Sequence, residues 1–204
     1  YLLLGSAGFK IFDQTVDSRL GTAVSGAGDA NNDGVDDVLV GRPNFSSGVV
    51  LVIFGHGANP AYNIDFSSST ISAQYGFVIS GLVSATSTDS FGAAMSRGGD
   101  INGDGIDDFL VGAPLRSSYS LAGNGALYGF YGSATISSRN LESNPPGVDE
   151  MFTIVGGEWV EGIGNAVDWC DFNGDGTPDL LFGASSAGSD AGAAYVVLGT
   201  PVPP

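Results

Sequence analysis

The chain has 204 residues, with Lys+Arg 6 against Asp+Glu 22 and a formal net charge of −16. A surface that acidic repels phosphate backbones and anionic lipid heads, and no apolar run approaches the ~18 residues of a membrane span, so nucleic acid and membrane insertion are set aside. One Cys and one His exclude a disulfide framework, a multi-Cys zinc site and most His-based metal sites, which leaves the chemistry to carboxylates.

Read in order, the chain predicts short strands separated by glycine-rich turns. Strand-like segments open it at 1–4 and 9–12, followed by LGTAVS at 20–25 and the segment GDANNDGVDDVLVGRP at 28–43. GVVLVIFG (48–55) and FVISG (77–81) come next. The same series then returns as FGAAMS (91–96), GDINGDGIDDFLVGAP (99–114), GALYGFYG (125–132) and FTIVG (152–156). A third pass gives IGNAVDW (163–169), CDFNGDGTPDLLFGAS (170–185) and GAAYVVLG (192–199). Asp29 to Asp100 is 71 residues, and Asp100 to Asp171 is 71 again. β-Branched and aromatic residues between Gly, Ser, Asn and Asp are strand signals, and no stretch offers ten residues of helical period free of Gly or Pro. The reading is all-β, about four strands per repeat. A β-sandwich has no reason to repeat one loop at a fixed interval, and β-helix coils are much shorter, so a β-propeller with four-stranded antiparallel blades is expected.

The repeated loop reads D-x-N-x-D-G-x-x-D. Asp29, Asn31, Asp33 and Asp37 occupy positions one, three, five and nine of the first; Asp100, Asn102, Asp104 and Asp108 those of the second; Asp171, Asn173, Asp175 and Asp179 those of the third. Of the 18 Asp in the chain, 11 lie in these stretches, where solubilising charge would be scattered and would use Glu as freely. Alternating oxygen side chains wrap one point when the loop curls, and Gly34, Gly105 and Gly176 at position six permit the turn. Position seven adds a backbone carbonyl, from Val35, Ile106 or Thr177. Such hard-oxygen sets suit Ca²⁺ better than Mg²⁺, which keeps its waters, so three Ca²⁺ ions are expected, one per loop. An EF-hand would need Glu at position twelve and flanking helices; Val40, Val111 and Phe182 stand there, inside strand-like runs.

Phe91-Gly92, the loop, and Gly112-Ala113-Pro114 together resemble an FG-GAP repeat of the integrin α-subunit propeller type. The first repeat departs with Leu20-Gly21 and Gly41-Arg42-Pro43, the third with Ile163-Gly164 and Gly183-Ala184-Ser185; the glycines and loops are kept. The resemblance covers nearly the whole chain. It implies a propeller segment with repeats at about 13–81, 82–156 and 157–204, residues 1–12 ending a preceding blade. Each loop would join the first and second strands of a blade, opposite the face that usually takes ligands. An incomplete ring is expected, with further blades from a longer chain or a second copy, because propellers close with roughly four to eight blades.

Other residues are weighed individually. Arg116, Tyr119 and Trp159 fall in loops that the resemblance places on the ligand side, as candidates for a protein or glycan partner. Asn44-Phe45-Ser46 is a glycosylation sequon in a turn. His56 has no nucleophile beside it, Cys170 reads as a buried inert thiol, and Glu158 with Glu161 is the nearest thing to an acid–base pair outside the loops. The resemblance implies a non-catalytic extracellular or cell-surface scaffold for adhesion or assembly. The alternative is the accessory propeller of a larger secreted, phospholipase-type hydrolase whose catalytic domain lies elsewhere.

Overall fold

The apolar runs are rich in β-branched and aromatic residues and bounded by Gly, Ser, Asn and Asp, and in the computed structural model they become strands. It describes residues 8–55, 63–82, 89–117, 123–157 and 161–200. In chain order these are β1 (Ile11–Phe12), β2 (Val24–Gly28), β3 (Asp37–Arg42), β4 (Val49–Ile53), β5 (Ile64–Asp65) and β6 (Gly76–Ser80). There follow β7 (Ala94–Gly99), β8 (Asp108–Ala113), β9 (Ala126–Phe130), β10 (Arg139–Asn140) and β11 (Met151–Val155). The last are β12 (Ile163–Cys170), β13 (Asp179–Ala184), the short α1 (Ala187–Asp190) and β14 (Ala193–Val197). The fold is all-β, and among the described residues the sheets form no closed ring.

Three antiparallel meanders follow the three repeats: β2-β3-β4-β6, β7-β8-β9-β11 and β12-β13-β14. The first gains a fifth strand, because β10, in the β9–β11 connection, pairs parallel with β6. The meanders stack with apolar faces inward. Leu39, Val50, Val52, Phe77 and Ile79 of the first pack on Phe91, Phe109, Val111, Tyr128 and Phe130 of the second. The opposite face of the second, through Leu110 and Leu127, packs on Leu180 and Phe182 of the third.

Glycines set the distance between blades. A Cβ on Gly41 would lie 2.2 Å from the Gly92 carbonyl oxygen, and one on Gly112 would lie 1.9 Å from that of Gly164. The glycine near the end of the second strand of one meander therefore rests on the opening glycine of the next. That contact is the physical reason for glycine at both ends of the repeated motif.

The outer face of the first meander is covered from within the chain. Residues 9–12 were expected as the last strand of a preceding blade; here β1 pairs parallel with β5, with Ile11 opposite Ile64. Phe9, Ile11, Ile64 and Phe66 close over Val40, Val49, Leu51 and Val78. Arg42, which replaces the alanine of the Gly-Ala-Pro motif, is fully buried here. It forms an ion pair with Asp13 at 2.6 Å, stacks on Phe45 at 3.6 Å and donates to Ser69 Oγ at 3.0 Å. Burial pushes the Asp13 carboxyl up, but bonds from Thr15 and Ser18 and the Arg42 charge hold it below the usual carboxylate range. Arg42→Ala should cost about 3 kcal/mol in urea unfolding, the low end for a broken buried pair, since Asp13 keeps the Thr15 amide at 2.8 Å. The Arg42→Ala/Asp13→Ala double variant should lose less than the two single losses added together.

At the other end the apolar surface is open among the described residues. Leu181 is 38% and Val196 43% exposed, on the face of the third meander turned away from the second.

Candidate metal centres

Each Asp-rich loop joins the first and second strands of its meander: residues 29–36 between β2 and β3, 100–107 between β7 and β8, and 171–178 between β12 and β13. The first-position carboxylate organises the curl. Asp29 accepts the amides of Asp33 (2.8 Å) and Gly34 (2.9 Å). Asp100 accepts those of Asp104 (2.9 Å) and Gly105 (2.9 Å), and Asp171 those of Asp175 (3.0 Å) and Gly176 (3.0 Å). Gly34, Gly105 and Gly176 have φ of 91°, 86° and 83°, the left-handed region that a side chain resists. Position three contributes to both ends of the curl. The side-chain amides of Asn31, Asn102 and Asn173 donate through Nδ2 to the fifth-position carboxylates at 2.9, 3.0 and 2.8 Å. The fifth-position carboxylates in turn accept the amides of Val35, Ile106 and Thr177, at 2.9, 2.9 and 2.8 Å.

Position nine is different. Asp37, Asp108 and Asp179 are buried at the start of the second strand. Asp108 accepts the Ile101 amide at 2.6 Å and the Gly132 amide at 2.8 Å. Asp179 accepts those of Phe172 (2.8 Å) and Gly199 (2.8 Å), and Asp37 that of Gly55 (2.9 Å). The ninth residue thus ties its loop to the end of the third strand, a role that sequence spacing did not disclose. Burial pushes Asp37 up to about 6 against the Gly55 amide, with the Asp33 and Asp29 charges adding to the rise. Burial likewise pushes Asp108 up to about 7, opposed by the Gly132 and Ile101 amides and reinforced by Asp104.

The donor set fits a hard divalent cation: two carboxylates and an amide oxygen lie along each curl, with a buried carboxylate behind. One oxygen of Asp37, Oδ2, is buried with no hydrogen-bond partner among the described residues. The side chains are not drawn together as in a loaded site, and among the described residues no group of three or more His, Cys, Asp or Glu could hold a metal as arranged.

The remaining candidates separate clearly. Arg116 lies in the β8–β9 connection, at the opposite end of the meander from the loops, and is half-buried. Its guanidinium donates to the hydroxyl of Tyr128. Asn44 is exposed in the turn after β3. Glu161 is buried and accepts the Tyr195 hydroxyl at 2.6 Å. Tyr119, Trp159, His56 and Glu158 lie outside the described residues.

Cys170 corrects an expectation: it is exposed, not buried. In the first two repeats a neighbouring meander covers this position, Gly28 meeting Asp107 and Gly99 meeting Trp169. Among the described residues nothing covers it in the third.

Sequence reasoning passed over Asp89, which is 2% exposed and whose Oδ1 has no hydrogen-bond partner among the described residues. Burial raises it to about 6, with Arg116 pulling it partly back. A carboxyl whose folded pKa stands above the ordinary ~3.9 supports the fold when protonated, and that support is lost as pH rises through 6. The stability advantage of Asp89→Asn over the unmodified chain should therefore shrink by about 2 kcal/mol between pH 7.5 and 4.5 in paired denaturant titrations.

A repeated strand–oxygen loop–strand unit in stacked antiparallel meanders is the architecture of a β-propeller segment. Residues 91–130 and 163–197 match the FG-GAP repeat. The chain carries FG-GAP repeats, and its curated matches place those repeats with the integrin-like propellers. It is 39% identical over 101 residues to integrin alpha-PS3 of Drosophila melanogaster, covering 48% of this chain and 8% of that protein. It is 32% identical over 177 residues to phosphatidylinositol-glycan-specific phospholipase D of Rattus norvegicus, covering 83% of this chain and 19% of that protein. The Dictyostelium discoideum phospholipase of the same name is 29% identical over 198 residues, 89% of this chain and 19% of its own length. The chain thus spans a fifth or less of these relatives.

Proposed function

We propose that this chain is a calcium-stiffened, non-catalytic propeller segment serving as an extracellular or cell-surface scaffold for adhesion or assembly, with three repeats at about 13–81, 82–156 and 157–204. One observation carries the reading: three loops with the same five oxygen-bearing positions recur at 71-residue intervals and curl around the same first-position carboxylate. Asp29, Asn31, Asp33, the Val35 carbonyl and Asp37 would hold one ion, and their counterparts in the other loops one each. A bound Ca²⁺ supplies charge neutralisation and cross-linking within the loop; the residues set its place and fix the strand ends. The partner is a protein or glycan, met on the side opposite the loops. No membrane-crossing helix is long and apolar enough among the described residues. Calorimetric Ca²⁺ titration should give three ions per chain, and two for Asp104→Ala; an unchanged count in the variant would refute the assignment.

A second reading has its own support. The phospholipase matches extend over 83% and 89% of this chain, against 48% for the integrin. That extent favours an accessory propeller of a larger secreted hydrolase, with the same calcium loops and catalysis elsewhere in the longer protein.

A further inference from the structure

Among the described residues, loops one and two are joined by polar contacts that loops two and three lack. Asp107, at the eighth position of loop two, reaches across the blade boundary, and its Oδ2 accepts the amide of Asp29 at 3.0 Å. Asp29 is the first-position carboxylate of loop one, while Asp108, the next residue after Asp107, is the ninth-position carboxylate of loop two. A second adjacent pair repeats the arrangement. The Gly132 amide donates to Asp108 at 2.8 Å, and the Ser133 amide donates to the carbonyl of Ala30, in loop one, at 2.9 Å. Close approach is required here: Gly28 has φ of 67°, and a Cβ on it would lie 2.2 Å from Asp107 Oδ2. At the following boundary the eighth position is Pro178, whose side chain neither accepts nor carries charge. The indole of Trp169 fills the space against Gly99 instead, 2.9 Å from where a Cβ would stand.

We propose that Asp107 is a positioning residue that couples Ca²⁺ binding at loop one to that at loop two, leaving loop three outside the coupling. The proposal rests on the calcium reading above. Asp107 is not a ligand. It fixes the backbone of Asp29, whose carboxylate gathers the amides of Asp33 and Gly34, and so holds loop one in its curl. An ion in loop two orders residues 107–108 through Asp108, and that order passes to Asp29 by the adjacent hydrogen bond. A site already ordered by its neighbour loses less conformational freedom on binding, which appears as positive cooperativity. The carboxylate also adds negative charge beside loop one, but a hydrogen bond of this geometry needs only an acceptor.

The position-six glycines report each loop separately. With glycine-selective ¹⁵N labelling, a Ca²⁺ titration followed at the amides of Gly34, Gly105 and Gly176 should show the first two responding with a shared, steepened midpoint and the third independently. Asp107→Ala should raise the Gly34 midpoint about tenfold, equivalent to about 1.4 kcal/mol, although residue 107 belongs to loop two. The Gly176 midpoint should stay put, and Asp107→Asn, which keeps the acceptor, should restore most of the loss. A Gly34 midpoint unmoved by Asp107→Ala, or one that moves together with Gly176, would overturn the coupling while leaving the calcium reading intact. Silence at all three glycines in the unmodified chain would overturn both.

Discussion

Gly112→Ala is expected to cost about 4 kcal/mol or more, a large share of the ~5–15 kcal/mol that holds an ordinary domain folded. The added methyl would sit 1.9 Å from the Gly164 carbonyl oxygen and 2.9 Å from its carbon. Both obstacles are backbone of the next meander's inner strand, so no rotamer change relieves the clash. The second and third meanders would have to separate, opening the packing of Leu110 and Leu127 on Leu180 and Phe182. Overpacking a tight core commonly costs 1–3 kcal/mol, and prising apart two sheets adds lost burial. Two controls separate this from a general intolerance of glycine substitution. Gly105→Ala meets nothing within 4 Å and should suffer only its left-handed backbone, about 1–2 kcal/mol. Gly183→Ala, the equivalent residue of the third repeat, meets the Asn165 side-chain oxygen at 2.8 Å, a group free to swing aside, and should be milder still. Urea unfolding monitored by circular dichroism ranks the three. Equal losses at Gly112 and Gly183 would contradict the interlocking-glycine account.

The repeat carried most of the fold in plain sight, because strand signals and loops recur at one interval and each loop had to join consecutive strands. Four features stayed hidden for physical reasons. β5 and β10 are two residues each, too short for alternation to register, and both pair parallel with partners far away in sequence. The folding of residues 9–13 back onto the first meander depends on one buried charge pair, Asp13 with Arg42, which spacing cannot announce. The doubling of Asp at positions eight and nine, in loops one and two but not in loop three, was visible as Asp36-Asp37 and Asp107-Asp108 against Pro178-Asp179. Its meaning appeared only when the blade boundary brought Asp107 to the Asp29 amide. The exposure of Cys170 likewise depends on which neighbour covers the end of β12, a property of stacking and not of local pattern.

Calcium removal should be the other large effect. Without cations, burial raises Asp37 and Asp108, and the charges of Asp33, Asp29 and Asp104 add a smaller push in the same direction. An ion bound only by the folded chain stabilises it by mass action. With affinities of about 10⁻⁴–10⁻³ M, as in extracellular calcium modules, 10 mM Ca²⁺ would contribute about 1.4–2.7 kcal/mol per site. Three sites give about 4–8 kcal/mol, or about 10–25 °C in Tm for a chain of this size. Mg²⁺ at equal concentration should give much less, since it releases its waters reluctantly and prefers a smaller octahedral cage. Differential scanning calorimetry of the chain in 10 mM Ca²⁺ and in excess chelator is the direct test. The account predicts a fall in Tm of at least about 10 °C on chelation, reversed by Ca²⁺ and not by Mg²⁺; superimposable thermograms in the two buffers would contradict it.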